Sequence, residues 1–180
     1  MGDSALPAVA DAGRMFFALW PDPAWAQRLL TAVAATAGHA LPASDLHVTL
    51  RFLGPVRHEA VAPLCAAAAA IAAPAFALRF ARVEWWREAR VLCAVAEPVP
   101  DAALVLVREL QDAAAALGIV ADPKPFRPHV TVARDVPREA AALRGELLGL
   151  DFAARSFSLA QSRGGGHGGR YRVLHSWPLA

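Results

Sequence analysis

Leu46-His47-Val48-Thr49-Leu50-Arg51-Phe52-Leu53 (LHVTLRFL) and the later stretch His129-Val130-Thr131-Val132-Ala133-Arg134 (HVTVAR) decide how this chain of 180 residues is read. Each alternates polar with apolar residues, the period-two pattern of a half-buried strand. Successive side chains of a strand point to opposite faces, so His47 and Thr49 share one face, as do His129 and Thr131. Val48 with Leu50, and Val130 with Val132, pack beneath. One tetrapeptide pattern, His-x-Thr-aliphatic, therefore occurs twice, 82 positions apart.

Around each copy the chain repeats one order of elements. Met15–Trp20 (MFFALW) reads as a central strand ending at Pro21, and Asp22 with Pro23 caps a helix carrying Trp25, Leu29 and Val33 at helical spacing until Gly38. LHVTLRFL follows and is expected to end at Gly54-Pro55. An Ala-rich helix over 58–73 and a strand over 76–83 complete the first half. The second opens with a strand over Val91–Ala96 and a helix from Asp101 to Gly118. A loop with Pro123, Pro125 and Pro128 then leads into the second motif. Pro137–Leu148 reads as a helix, Phe152–Leu159 as a strand and Tyr171–Trp177 as a last strand. Two copies of such a unit predict an α+β, bilobal fold: two antiparallel-type sheets related by a pseudo-two-fold axis, helices on their outer faces, a central cleft between them. Residues 14–180 form one domain built by duplication, and 1–13 a flexible tail.

Composition narrows the class. The apolar share of 56% is inflated by 43 alanines, which leaves an ordinary load of larger apolar residues. The uncharged segment 60–78 has spanning length, but Pro63 and Pro74 interrupt it, so it reads as a buried helix and a strand rather than a membrane span. A net charge of +2 provides no strong field for nucleic acid or membrane. All the cations except Lys124 are Arg, which suits forked phosphate contacts, though a GC-rich genome gives the same bias. Cys65 and Cys93 stand without CxxC or Cys/His spacing and read as buried, reduced thiols. With no basic-apolar leader at the N-terminus, the cytoplasm is the expected compartment.

Two imidazoles and two hydroxyls converging on one ligand suit cleavage of a phosphodiester. In-line displacement puts attacking and leaving oxygens on opposite sides of phosphorus, so base and acid must face each other, and twin motifs across a pseudo-dyad do this. An unperturbed His titrates near about pH 6.5, so one ring can be neutral and the other charged, each contributing about 10²–10⁴-fold. The Thr hydroxyls donate to non-bridging oxygens, and a nearby Arg neutralises their charge. Metal binding is a poorer use of the pattern, which offers Thr where His, Asp or Glu would be needed. The reading requires no metal and no cofactor.

MFFALW, LHVTLRFLG, FRPHVTVAR and the closing LAQS and YRVLHSWPL resemble, in order and at similar intervals, the RNA 2′,3′-cyclic phosphodiesterases, also called 2′-5′ RNA ligases, of the two-histidine phosphoesterase superfamily. The resemblance runs from about Arg14 to Leu179. It implies hydrolysis of a terminal ribose 2′,3′-cyclic phosphate to a 2′-phosphomonoester, with joining of RNA ends through a 2′-5′ linkage in some members. It implies as partners RNA with such ends or small cyclic nucleotides, and no membrane; no obligate protein partner is evident. By position, His47 would be the proton donor to the leaving 3′ oxygen, His129 the acceptor that activates water, Thr49 and Thr131 the phosphate holders and Arg134 an added cation. Strict alternation instead places Arg51 on the cleft face and turns Arg134 away unless the strand bulges near Ala133. We follow the resemblance for Arg134 and keep Arg51 behind it.

Arg163–Arg170, rich in glycine, lacks a P-loop ending and reads as a hairpin connection with His167 solvated. Trp20, Trp85 and Trp86 read as packing residues before base-stacking ones. His39, His58 and His175 read as surface or packing residues, and Arg14, Lys124 and Arg127 as a solvated face before an RNA path. Two rivals stand beside the main reading: a relative acting on another cyclic phosphate such as ADP-ribose cyclic phosphate, and a non-catalytic RNA-binding module that uses its sheets as stacking platforms.

Overall fold

In the computed structural model the chain is described at residues 11–33, 39–120, 124–137, 145–163 and 170–180, with backbone alone at 11–13, 39 and 145–148. The elements run β1 (Asp11–Leu19), α1 (Pro23–Ala32), β2 (His39–Ala40), β3 (Val48–Arg57), α2 (His58–Ala69), β4 (Phe76–Trp86), β5 (Val91–Ala96), α3 (Asp101–Ala116), β6 (His129–Arg134), β7 (Gly145–Ala154), β8 (Ser156–Ser162) and β9 (Tyr171–Pro178). A 3-10 turn at Ala43–Asp45 precedes β3. The Asp22 side chain accepts the Trp25 backbone N–H at 2.8 Å, with Pro23 in the first turn, so α1 begins where its cap signal lies.

Several boundaries differ from the expected ones, each for a visible reason. β1 starts at Asp11, inside the stretch read as a tail, because β3 continues far enough to pair Arg57 with Asp11. β3 passes through Gly54-Pro55 instead of ending there, since Gly54 takes a positive φ of 72° and bends the strand without terminating it. Gly145–Leu148 belongs to β7, although 137–148 read as a helix; pairing of β7 along β4, from Phe76↔Ala154 to Val83↔Gly145, outweighs the helical preference of Glu-Leu-Leu. Residues 138–144 and the glycine-rich 164–169, including His167, lie outside the described residues. The single strand expected over 152–159 is two, β7 and β8, divided at Arg155.

The strands form one curled, antiparallel sheet in the order β7-β4-β5-β6-β3-β1-β8-β9, with β2 paired to β6. Its two four-stranded halves are the expected two sheets of this α+β fold, joined where Val48 pairs with Val130. They do not correspond to the two halves of the chain. β4, from the first, pairs with β5, and β8, from the second, pairs with β1.

Helices and the main core lie on one face of the sheet. Phe17, Leu19, Val48, Leu50, Val130 and Val132 meet Leu64 of α2 and Leu106 and Leu110 of α3 there, all at most 3% exposed. Burial of each such side chain stabilises the fold by about 1.5–3 kcal/mol. Among the described residues the other face carries two small clusters, Phe16-Ala18-Ala160 and Val91-Cys93-Val95. Between them lies the twin motif. Among the described residues no helix is long and apolar enough to cross a membrane.

Candidate active site

His47 ends the turn before β3, His129 opens β6, and the antiparallel register that pairs Val48 with Val130 fixes everything between them. Carried one residue either way, it sets His47 opposite Thr131 and Thr49 opposite His129. The four side chains occupy the corners of a square, the imidazoles on one diagonal and the hydroxyls on the other. Diagonal neighbours on paired strands lie about 7–8 Å apart at Cα, which leaves room for a tetrahedral phosphate between the rings. An antiparallel pair has a local two-fold axis of its own, and the duplicated motif is centred on it. The residues expected to face one another across a cleft thus stand side by side on adjoining strands at the hollow of one sheet.

All five expected residues, His47, Thr49, His129, Thr131 and Arg134, line one cavity of about 220 Å³. Arg134 reaches it because β6 bulges between Thr131, paired with Cys93, and Ala133, paired with Leu92. β3 bulges at the equivalent point, between Thr49, paired with Ala18, and Arg51, paired with Phe17. The residue five after each His therefore enters the cavity, Phe52 on one strand and Arg134 on the other. Strict alternation after His47 is overturned: Arg51 stands opposite the core residue Phe17 and does not line this cavity.

The two rings are anchored alike. Nδ1 of His47 donates to the carbonyl of Asp45, and Nδ1 of His129 to that of Arg127, both at 2.7 Å. A carbonyl only accepts, so each Nδ1 bears its proton and each neutral ring keeps its lone pair on Nε2. Burial pushes the His47 pKa down to about 4; the bond to the Asp45 carbonyl works against this, and the charges of His129 and Arg134 add to it. Burial also lowers the His129 pKa; the bond to the Arg127 carbonyl works against this, and the charge of Arg127 adds to it.

Walls that the sequence did not place at the site complete it. Tyr171, the chain's one tyrosine, accepts a 3.4 Å hydrogen bond from Arg134 Nη2 and stands edge-on to His47, ring centres 4.7 Å apart. Trp20 stacks on His47 at 5.0 Å and Phe16 lies at 5.1 Å. Trp86 packs on His129 at 4.4 Å, and its indole N–H donates to Glu84, which also holds Arg127 through two bonds of 2.6 and 2.8 Å. Trp85 donates to the Val136 carbonyl and Trp20 to that of Ser44, so the three tryptophans read as packing residues are tied into the protein. Tyr171 lies far from either motif in the chain and arrives only through the β8–β9 pairing of Ser162 with Tyr171, which no local pattern announces.

The family model described as the 2′-5′ RNA ligase superfamily matches residues 20–166. An RNA 2′,3′-cyclic phosphodiesterase from Escherichia coli (strain K12) is 32% identical over 143 residues, 79% of this chain and 81% of that protein. A protein of the same name from Geobacillus stearothermophilus is 36% identical over 121 residues, 65% of this chain but 38% of that longer protein. The crystal structure of E. coli LigT complexed with 3′-AMP superposes with a TM-score of 0.82 at 27% identity, covering 94% of this chain and 99% of that one.

Proposed function

The chain belongs to the 2′-5′ RNA ligase superfamily, and from that premise we propose that it is an RNA 2′,3′-cyclic phosphodiesterase working by paired-histidine acid–base catalysis. The observation that carries this is the cavity lined by two imidazoles distant in the chain, each anchored through Nδ1 to a backbone carbonyl, together with Thr49, Thr131 and Arg134.

His129 Nε2 takes a proton from water as the water oxygen bonds to phosphorus. The phosphorus–O3′ bond breaks, and His47, protonated at Nε2 when the phosphate is bound, gives that proton to O3′, leaving a 2′-phosphomonoester and a free 3′-hydroxyl. Thr49 and Thr131 donate to the non-bridging oxygens, and Arg134, held by Tyr171, balances the charge they gain. The division of roles between the rings comes from the family resemblance, since the anchoring of the two is alike. An RNA 5′-hydroxyl in place of water would give a 2′-5′ linkage at the same site. The proposed substrates are RNA ends or small nucleotides bearing the cyclic phosphate, and the proposed compartment is the cytoplasm, consistent with two free thiols of which Cys93 is buried.

The test is product analysis with a nucleoside 2′,3′-cyclic phosphate in the presence of a chelator, which is expected to yield the 2′-phosphate. His47→Ala and His129→Ala should each lower kcat by about 10²–10⁴-fold while RNA retention persists. Unchanged turnover in either variant would overturn paired-histidine catalysis, and RNA retention without any turnover in the wild type would favour a non-catalytic RNA-binding module. A substrate whose leaving group needs no proton separates the roles: it should rescue the variant lacking the acid, His47→Ala, and leave His129→Ala impaired.

A further inference from the structure

Among the described residues, two buried side-chain nitrogens have no hydrogen-bond partner, Nε of Arg51 and Nε of Arg134. Arg134 faces the square of the twin motif. Arg51 faces a different cavity, of about 300 Å³, which shares Thr49, Phe52 and His129 with the first and so adjoins it directly. Its far wall is the loop before β6, contributing Lys124, Phe126 and Arg127, together with Trp86. Only 7% of Arg51 is exposed.

A guanidinium stays charged at any pH at which the protein is folded, and burying one with an unmet donor is costly unless an anion completes it. Among the described residues none that lines this cavity supplies one. Glu84, which holds Arg127 of the cavity wall, is engaged by Arg127, Arg82 and Trp86. Trp86 does not offer a vacant stacking surface either, since His129 lies on it at 4.4 Å and the Arg127 guanidinium at 5.3 Å. With Arg51, Lys124 and Arg127 on its lining and no carboxylate among the described lining residues, the cavity suits an anion. Because it opens from the reacting cavity at His129, the anion it receives belongs to the molecule whose phosphate sits between the histidines.

We infer that the Arg51 cavity binds the phosphate on the 5′ side of the terminal nucleotide, the phosphodiester linking that nucleotide to the rest of an RNA strand. The inference rests on the proposed cyclic phosphodiesterase activity and adds a substrate preference to it: strand ends over free cyclic mononucleotides, without regard to base. Arg51 acts in substrate binding one phosphate away from the chemistry.

The experiment compares a nucleoside 2′,3′-cyclic phosphate with the same compound carrying a 5′-phosphate and with a dinucleotide ending in the cyclic phosphate. In the wild type the 5′-phosphate and the dinucleotide should each raise kcat/KM by about tenfold or more, the worth of a charge-assisted contact. In Arg51→Met that gain should vanish, while kcat/KM for the simple cyclic nucleotide stays within about threefold, which also shows that the variant is folded. The salt dependence of dinucleotide binding should weaken by a slope of about 0.7, the release belonging to one single-strand phosphate. Should Arg51→Met not fold, Arg51→Lys takes its place and should retain part of the gain. A wild type indifferent to the 5′-phosphate, or an Arg51 variant slowed equally on every substrate, would overturn the inference. If the wild type turned over no cyclic phosphate at all, the proposed activity would fall. Calorimetry with a nucleoside 3′,5′-bisphosphate against the 3′-monophosphate would still decide the cavity: equal affinities would overturn it, and a preference for the bisphosphate lost in Arg51→Met would support it.

Discussion

His47 is enclosed by Phe16, Trp20 and Tyr171, and the three rings act on its proton in two opposed ways. By excluding water they hold the free imidazole neutral, with a pKa of about 4. Once a proton is present, the π face of Trp20 stacked on the ring attracts the cation, and a phosphate anion in the cavity attracts it further. Protonation of His47 is thereby linked to occupancy of the site. NMR titration should place its imidazole near pH 4 in the free protein and move it upward with nucleotide phosphate bound; an unmoved titration would refute the linkage. The same depression has a stability consequence. Between about pH 6.5 and pH 4 the unfolded chain takes up the proton that the folded state refuses, so stability is full above this window and lost as pH falls through it. His47 alone contributes a loss on the order of 3 kcal/mol over that fall. His129 contributes in the same sense. His47→Phe should therefore lose less stability than the wild type between pH 7 and pH 4 in urea unfolding, and an identical loss would count against burial as the cause.

At the scale of single elements, β3 and β6 decide the site through their bulges. Alternation alone was enough to pair each His with its Thr, because those residues precede the irregularity. It failed at Arg51, one step beyond it, where an extra residue in β3 reverses which side chains face the cavity. Arg134 was recoverable only from the family pattern, since a bulge depends on the neighbouring strand and leaves no periodic signature. Phe52, its counterpart, was not recovered at all. The helix expected over 137–148 gives way to strand at 145–148 for a related reason: β7 is held by its ladder to β4, a partner some seventy residues earlier in the chain. Gly54 shows how local chemistry serves the same strand. Its φ of 72° lets β3 bend without breaking, and a Cβ there would meet nothing nearer than Phe52 Cε1 at 3.9 Å. Substitution therefore costs conformational strain alone. Gly54→Ala should lower stability by about 1–2 kcal/mol, and Gly54→Asn by less, because Asn tolerates the left-handed region. Equal losses for the two, measured by urea unfolding, would point to a clash instead.

Across the whole molecule the two half-sheets are interlocked rather than docked. β4 leaves the first half of the chain to lie beside β5, and β8 leaves the second to lie beside β1. The helices exchange as well. Trp25 of α1, which connects β1 to the strands beside it, packs on Phe80 and Phe152 at 5.1 and 5.4 Å and donates to the Asp151 carbonyl at 2.9 Å, all in the opposite half-sheet. α3, from the second half of the chain, lies against α2 and β3. Neither half-sheet owns a complete core, so separating them would expose Trp25 and Phe80 on one side and Leu106 and Leu110 on the other, residues at most 2% exposed in the folded chain. Partial unfolding would thus forfeit most of the apolar burial that stabilises either part, and the chain should unfold as one unit. Tryptophan emission reports on both halves, through Trp20 and Trp177 beside the β1-β8-β9 half and Trp25, Trp85 and Trp86 on the other. In urea, emission and far-ultraviolet circular dichroism are expected to trace a single coincident transition, unchanged in shape by Trp177→Phe. Two separated transitions would show that the half-sheets fold independently, and the square of His and Thr side chains at their junction would then lack the rigid frame that its geometry requires.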